Sequence, residues 1–446
     1  MNKINLRSML LLISASMGIL CGACASVPMV PRDVGSIHFK EVSKHLQLGG
    51  TMYTYVDIGG DAEKAAEFLN DLVKTADVPT DVKHLDFVAM AQKMGLFRVD
   101  AIGMSSYLKG ELFSNRMFIH NTGSRVGLMK FFGGPAHPFE VLNFAPADSD
   151  LVMESDVNAL AVYELVVSLM EDVLGKQKVR EDLTFLDKNV SIFSFSPKDV
   201  IEHLETKVTA VIKIDSSKEL NFSDEILSVP MVDMVLSVDN LGFVFDAIVS
   251  LAESSTLFKY STDENYETFE ILEAMPGDLA VYNPIIRKDK ISGRLYIASR
   301  SSFLDKCLST GEKIATSQMF INATDGLPVA SGNAISYISP QFIEMLEKIA
   351  SDVFAKDKDT AFVEALLKSW LPKSKLGQAS VSVNMDNGIL VASNMVTSHK
   401  TTLLASMFVN PVTIGMLGFM IVPKLKDIFA GNFEKPLENS IPIDQK

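Results

Sequence analysis

The chain is predicted to be an α+β protein of repeated strand-helix-(helix)-strand-strand units with mainly antiparallel sheets. Three observations carry that expectation. Between residues 36 and 400 the apolar period switches repeatedly between two, as in strands, and about 3.6, as in helices. Turn residues often separate successive strand-like runs by only a few positions, which hairpins allow and parallel crossovers do not. A composition of 47 % hydrophobic and 22 % charged residues over 446 positions is globular and long enough for several units, expected over 26–145, 146–290 and 291–400.

The chain opens on a different pattern. Lys3 and Arg7 precede an apolar run over 9–20, and Ala23-Cys24-Ala25 follows as a small-x-small site, so residues 1–25 read as a signal peptide cut between Ala25 and Ser26. In an alternative cut, Leu20-Cys21-Gly22-Ala23 before Cys24 loosely matches a bacterial lipoprotein box, and Cys24 would carry the lipid. Either way only Cys307 remains in the body, within a short helical pattern where a buried, inert thiol is expected and no internal disulfide can form.

In the first unit the run 51–57 alternates as a strand, Ile58-Gly59-Gly60 turns the chain, and Asp61 caps a helix through residue 76. A second helix is expected over 84–94, then strands over 97–108, 112–120 and 125–132. The central units begin with a strand over 150–156 and helices over 159–174, 181–188 and 197–205. Strands over 208–214 and 231–238, a helix over 241–253 and strands near 257–260, 267–274 and 279–286 complete them. The last unit has a strand over 334–338, helices over 340–354 and 360–370, and a hairpin of 379–385 and 389–396 turned at Asp386-Asn387-Gly388, where positive φ is tolerated.

Residues 403–422 carry no charged group and are long enough to cross a hydrocarbon layer of about 30 Å. Asn410-Pro411 interrupts them, so 401–423 is either a transmembrane helix or a buried apolar one, followed by a tail over 424–446. Lys424 and Lys426 favour a cytoplasmic tail, which puts the body at the periplasmic face of an inner membrane. The lipidated alternative implies an outer-membrane lipoprotein.

Pro146-Ala147-Asp148-Ser149-Asp150-Leu151 and Pro276-Gly277-Asp278-Leu279 both lead into strands and read as plain turns. Together with Arg294-Leu295-Tyr296-Ile297-Ala298-Ser299-Arg300-Ser301-Ser302-Phe303-Leu304 and Ser380-Val381-Ser382-Val383-Asn384-Met385-Asp386-Asn387-Gly388, they resemble the DUF3352-like family of exported bacterial proteins of unknown function over about residues 145–396. The resemblance implies an envelope location and repeated α+β units. It carries no catalytic residue, and the apolar C-terminal stretch departs from it.

A net charge of −14 repels phosphate backbones, so no nucleic-acid partner is expected. The seven histidines, His38, His45, His84, His120, His137, His203 and His399, stand singly, and no metal or other cofactor is expected. His137 stands out in the rigid loop Gly133-Gly134-Pro135-Ala136-His137-Pro138, with an exposed structural ring as the simpler reading. No Gly-x-Ser-x-Gly elbow, phosphate loop or calcium loop is present; Gly59-Gly60-Asp61 puts a carboxylate where a pyrophosphate would sit. The expectation is a non-catalytic, membrane-associated envelope protein serving as an interaction partner or scaffold. A carrier for an apolar ligand such as a lipid is the alternative, suggested by 27 Phe and 22 Met, and a hydrolase with a site assembled only in space is a third.

Overall fold

A computed structural model describes residues 36–75, 84–188, 195–222, 227–252, 258–272, 281–354 and 375–400. Cys24, Ala25 and Ser26, the Pro276-Gly277-Asp278 turn, the helix expected over 360–370, the apolar stretch 403–422 and the tail lie outside them. Residues 34–399 form one compact unit, described below. No helix among the described residues is long and apolar enough to cross a membrane.

The fold is α+β, as the periodicity predicts. After a first helix, Ile37–Ser43, comes β1 (Met52–Asp57), helices Asp61–Thr75 and Phe87–Lys93, then β2 (Val99–Lys109) and β3 (Leu112–Asn121). The same order returns with β4 (Leu151–Asn158), three helices beginning with Ala159–Leu174, then β5 (Glu205–Phe222) and β6 (Leu227–Val238). Helix Gly242–Ala252 leads to β7 (Phe258–Thr262), β8 (Tyr266–Ile271), β9 (Ile285–Asp289) and β10 (Leu295–Ala298). The order appears a third time as β11 (Ala334–Ile338), helix Pro340–Phe354, β12 (Gln378–Met385) and β13 (Gly388–Met395).

The thirteen strands among the described residues join one sheet in the order β1-β2-β3-β13-β12-β11-β4-β5-β6-β10-β9-β8-β7, every pair antiparallel. Neighbouring blocks run in opposite senses, so last strand meets last strand (β3 with β13) and first meets first (β11 with β4). Period-two alternation then gives the sheet two distinct faces. One carries the main core, with Ala101, Phe118, Leu390, Val381, Ile335, Val152, Val211 and Val235 packed together. Val42 and Leu46 join this core from the first helix and the turn after it. Gly103 makes their approach possible, since a Cβ there would sit 2.2 Å from Val42 Cγ1 and 2.7 Å from Leu46 Cδ1. The other face holds two smaller clusters, Phe245 with Phe269 and Leu295, and Ile214 with Phe342 and Met345.

Two expectations need correction. The strand expected over 125–132 is a 3-10 helix, Gly127–Phe132. Gly127 takes φ 57°, a Cβ on it would meet the Met94 carbonyl carbon at 2.3 Å, and the Leu128 amide donates to the Met94 carbonyl, so this segment folds onto the preceding helix instead of extending the sheet. The Asp386-Asn387 hairpin turn is present, with Met385 opposite Gly388, but it does not use positive φ. Gly388 is needed for close approach: a Cβ there would lie 2.3 Å from the Ile119 carbonyl oxygen and 2.6 Å from the Phe118 ring.

Candidate functional site

Three places gather polar or apolar groups beyond what the core requires. The first is the loop singled out by sequence. Its carbonyls are gripped from several sides: Asn384 Nδ2 donates to Phe132 and Gly134, Asn333 Nδ2 donates to Gly134, and Arg125 Nη2 reaches Gly134 at 3.1 Å. His137 hangs from this frame with Nε2 2.8 Å from Asp156 Oδ1 and Nδ1 3.0 Å from the Pro138 carbonyl. Both partners are acceptors, so two such bonds require two N–H groups and suit the imidazolium. Burial pulls the ring's pKa down, yet the Pro138 and Asp156 bonds and the Asp156 charge outweigh it, and the net shift is upward. A ring with both nitrogens donating has no lone pair with which to act as a base. Its chemistry is that of a latch.

Behind the latch, Glu154 projects from β4 into the core and is fully buried. One carboxyl oxygen accepts the Val141 amide at 2.6 Å, while the other, Oε1, has no hydrogen-bond partner and lies 4.0 Å from His137 Nδ1. Burial pushes this carboxyl up, with the Val141 amide opposing. Glu140 beside it behaves oppositely. Burial raises its carboxyl, but hydrogen bonds from Lys207 at 2.6 Å and Arg294 at 2.7 Å, with their charges, bring it down to about 2. A cleft of about 590 Å³ opens on the outer side of the loop, where Arg125, Lys130, Glu164, Glu205 and Asp386 mix both charges.

The second place was invisible as a sequence pattern. His38 on the first helix, Asp100 on β2 and His120 on β3 each bring a ligand-type atom within 4.8 Å of the others, the one such group among the described residues. The His38 and His120 ring centroids are 5.2 Å apart. Asp100 sits at a β-bulge, where the register slips between Val99 and Ala101, and such an extra residue is turned out of the regular alternation. Its Oδ2 is buried without a hydrogen-bond partner. His120 Nδ1 lies 2.8 Å from the Asn387 carbonyl. A carbonyl can only accept, so Nδ1 carries the proton and the neutral tautomer keeps its lone pair on Nε2. Residues that stand singly in the chain thus converge in space.

The third place is a row on the face opposite the main core. Met153 on β4, Ala210 on β5, Leu236 on β6 and Ile297 on β10 stand directly opposite one another in register. Met153 is 37 % exposed, Ile297 38 % and Met234, two residues along β6, 43 %. Beyond Met153 the same row continues through Ser336, Ser380, Ser393, Asn115 and Ser106, so it changes from apolar to hydroxyl and amide at the junction of β4 with β11.

The remaining sequence candidates are structural. Cys307 is buried in helix Ser301–Leu308, where burial pushes its thiol up to about 12. Asp148 pairs with Lys306 at 2.9 Å, and Asp150 is buried under three donors. Gly123, Ser124 and Arg125 line the mixed-charge cleft. No protein-family model, curated protein or solved structure matches the chain.

Proposed function

We propose that this chain is an exported, membrane-associated, non-catalytic protein of the cell envelope that serves as an interaction or scaffold protein, held at a membrane by one of its apolar ends. The observation that supports it is the group of exposed side chains Met153, Met234 and Ile297, with half-buried Leu236 among them, on the sheet face opposite the main core. Large side chains left exposed side by side on a rigid sheet suit contact with another molecule. The His137 loop, whose ring nitrogens both face acceptors of the fold itself, suits a structural part of a scaffold.

The test combines location with contact. Protease access on intact cells and spheroplasts should place the body outside the cytoplasm, and cross-linking from membranes should recover a specific partner with the native chain but not with a Met153→Asp/Ile297→Asp variant. A freely soluble native chain that captures nothing overturns the proposal. The methionines on this row support one other reading, a carrier whose strip holds an acyl chain, because a flexible, polarizable side chain adapts to apolar ligands. Native mass spectrometry separates the two: the carrier emerges with lipid mass attached, the scaffold without.

A further inference from the structure

We propose that His38, Asp100 and His120 form a binding site for a divalent first-row transition ion, which clamps the first helix onto strands β2 and β3. This goes beyond the interaction role and does not depend on it. The donor set is two imidazoles and one carboxylate, drawn from three separate elements, with ligand-type atoms within 4.8 Å of one another. Around an ion with metal–nitrogen distances of about 2.0–2.1 Å, ligand atoms stand roughly 3.4 Å apart, so side-chain rotation of about an ångström closes the set. His38 has that freedom. It is half-buried near the start of a seven-residue helix, whereas His120 is buried between Phe118 and the β3–β13 pairing.

Two further observations point to a ligand rather than to a polar cluster satisfied within itself. Asp100 Oδ2 is buried without a hydrogen-bond partner, a costly arrangement for a carboxylate unless a cation neutralises it. His120 has its Nδ1 proton fixed on the Asn387 carbonyl, the second interaction that metal-bound imidazoles characteristically make, and its Nε2 lone pair is thereby left free for coordination. Asp57 adds negative potential near His38. Two nitrogens and a single carboxylate exclude magnesium and calcium as preferred ions, since these require mostly oxygen ligands, and select the zinc-like end of the first row. Three protein ligands leave a coordination position for water or a partner's side chain.

The site adds a tie between segments that Val42 and Leu46 already join through the core and that Ser36 and Ser43 join to β1 by hydrogen bonds. Binding to the folded form alone therefore raises the melting temperature.

The test uses the full chain in mild detergent, stripped with a chelator and titrated with zinc by calorimetry, with metal content read by mass spectrometry. One ion per chain, a rise in melting temperature reversed by chelator, and tetrahedral absorption bands with cobalt are expected. His38→Gln, Asp100→Asn and His120→Gln should each weaken zinc binding by about tenfold or more, while His137→Gln leaves it unchanged. His38→Gln decides the matter if the buried His120 variant does not fold. No stoichiometric zinc in the native chain, binding that survives His38→Gln and Asp100→Asn alike, or a preference for magnesium or calcium overturns the proposal.

Discussion

Replacing Asp150 with alanine should destabilise the protein strongly although the residue belongs to a turn. Its side chain is 3 % exposed and accepts from the Ile214 amide at 2.8 Å, the Ser339 hydroxyl at 2.7 Å and the Lys213 ammonium at 3.2 Å. Ser339 in turn accepts the Phe342 amide at the head of helix Pro340–Phe354. Alanine strands a buried amide at a cost of about 1–3 kcal/mol and loses the hydroxyl bond at about 0.5–1.5 kcal/mol. The partly exposed Lys213 pair adds about 1 kcal/mol or less, for a total of roughly 2–5 kcal/mol. Asparagine keeps one acceptor and should lose about half as much. Urea unfolding followed by far-ultraviolet circular dichroism measures both: the midpoint falls while the slope is held. A loss under about 1 kcal/mol for alanine, or equal losses for alanine and asparagine, refutes the account.

Gly103→Ala should cost about 1–3 kcal/mol, because its Cβ would collide with Val42 and Leu46, and the same unfolding assay reads it. His137 has a folded pKa above its ordinary 6.5, so the stability it contributes is complete below that value and is lost as pH rises through the folded one; His137→Gln should flatten the melting-temperature profile in that window. For Glu140 the sign reverses: its contribution is present above pH 4.5 and lost as pH falls toward about 2, and Glu140→Gln should flatten the acid limb modestly because the carboxylate is half exposed. Cys307, with its thiol pushed up to about 12, should resist alkylation at pH 8 in the folded chain and react once urea is added, as mass spectrometry would show.

What the sequence made legible follows from how each signal is generated. The strand Ala334–Ile338 and the helices Ala159–Leu174 and Pro340–Phe354 appear at the expected residues, because local alternation or 3.6-residue periodicity writes them directly. Gly127–Phe132 departs from the expected strand because its conformation depends on a positive φ at Gly127 and a bond to Met94, more than thirty positions upstream. β5 runs to eighteen residues, well past the expected 208–214, since its pairing with β6 continues across a register shift between Asp215 and Glu219. The His38–Asp100–His120 group left even less trace. Regular alternation opposes Asp100 to Ala101, which shares a face with His120; only the bulge breaks that rule, and no residue type announces it.

The junction between β4 and β11 explains why so many buried polar groups are structural. These strands lie almost two hundred residues apart in the chain and pair without a hairpin to set their register. The pairing has an approximate two-fold centre at Met153 opposite Ser336, and three residues to either side of Met153 stands an aspartate that reaches the facing strand. Asp150 accepts from the Ser339 hydroxyl at 2.7 Å, and Asp156 accepts from Asn333 Nδ2 at 2.8 Å. Backbone bonds repeat the symmetry: Ser339 N–H donates to the Asp150 carbonyl and Asp156 N–H to the Asn333 carbonyl, both at 2.7 Å. A one-residue slip would break both clamps and turn the apolar side chains of β11 from the core to the opposite face. The His137 latch grips Asp156, so the loop and the strand junction stabilise each other, and loss of either should loosen the centre of the sheet rather than its edges.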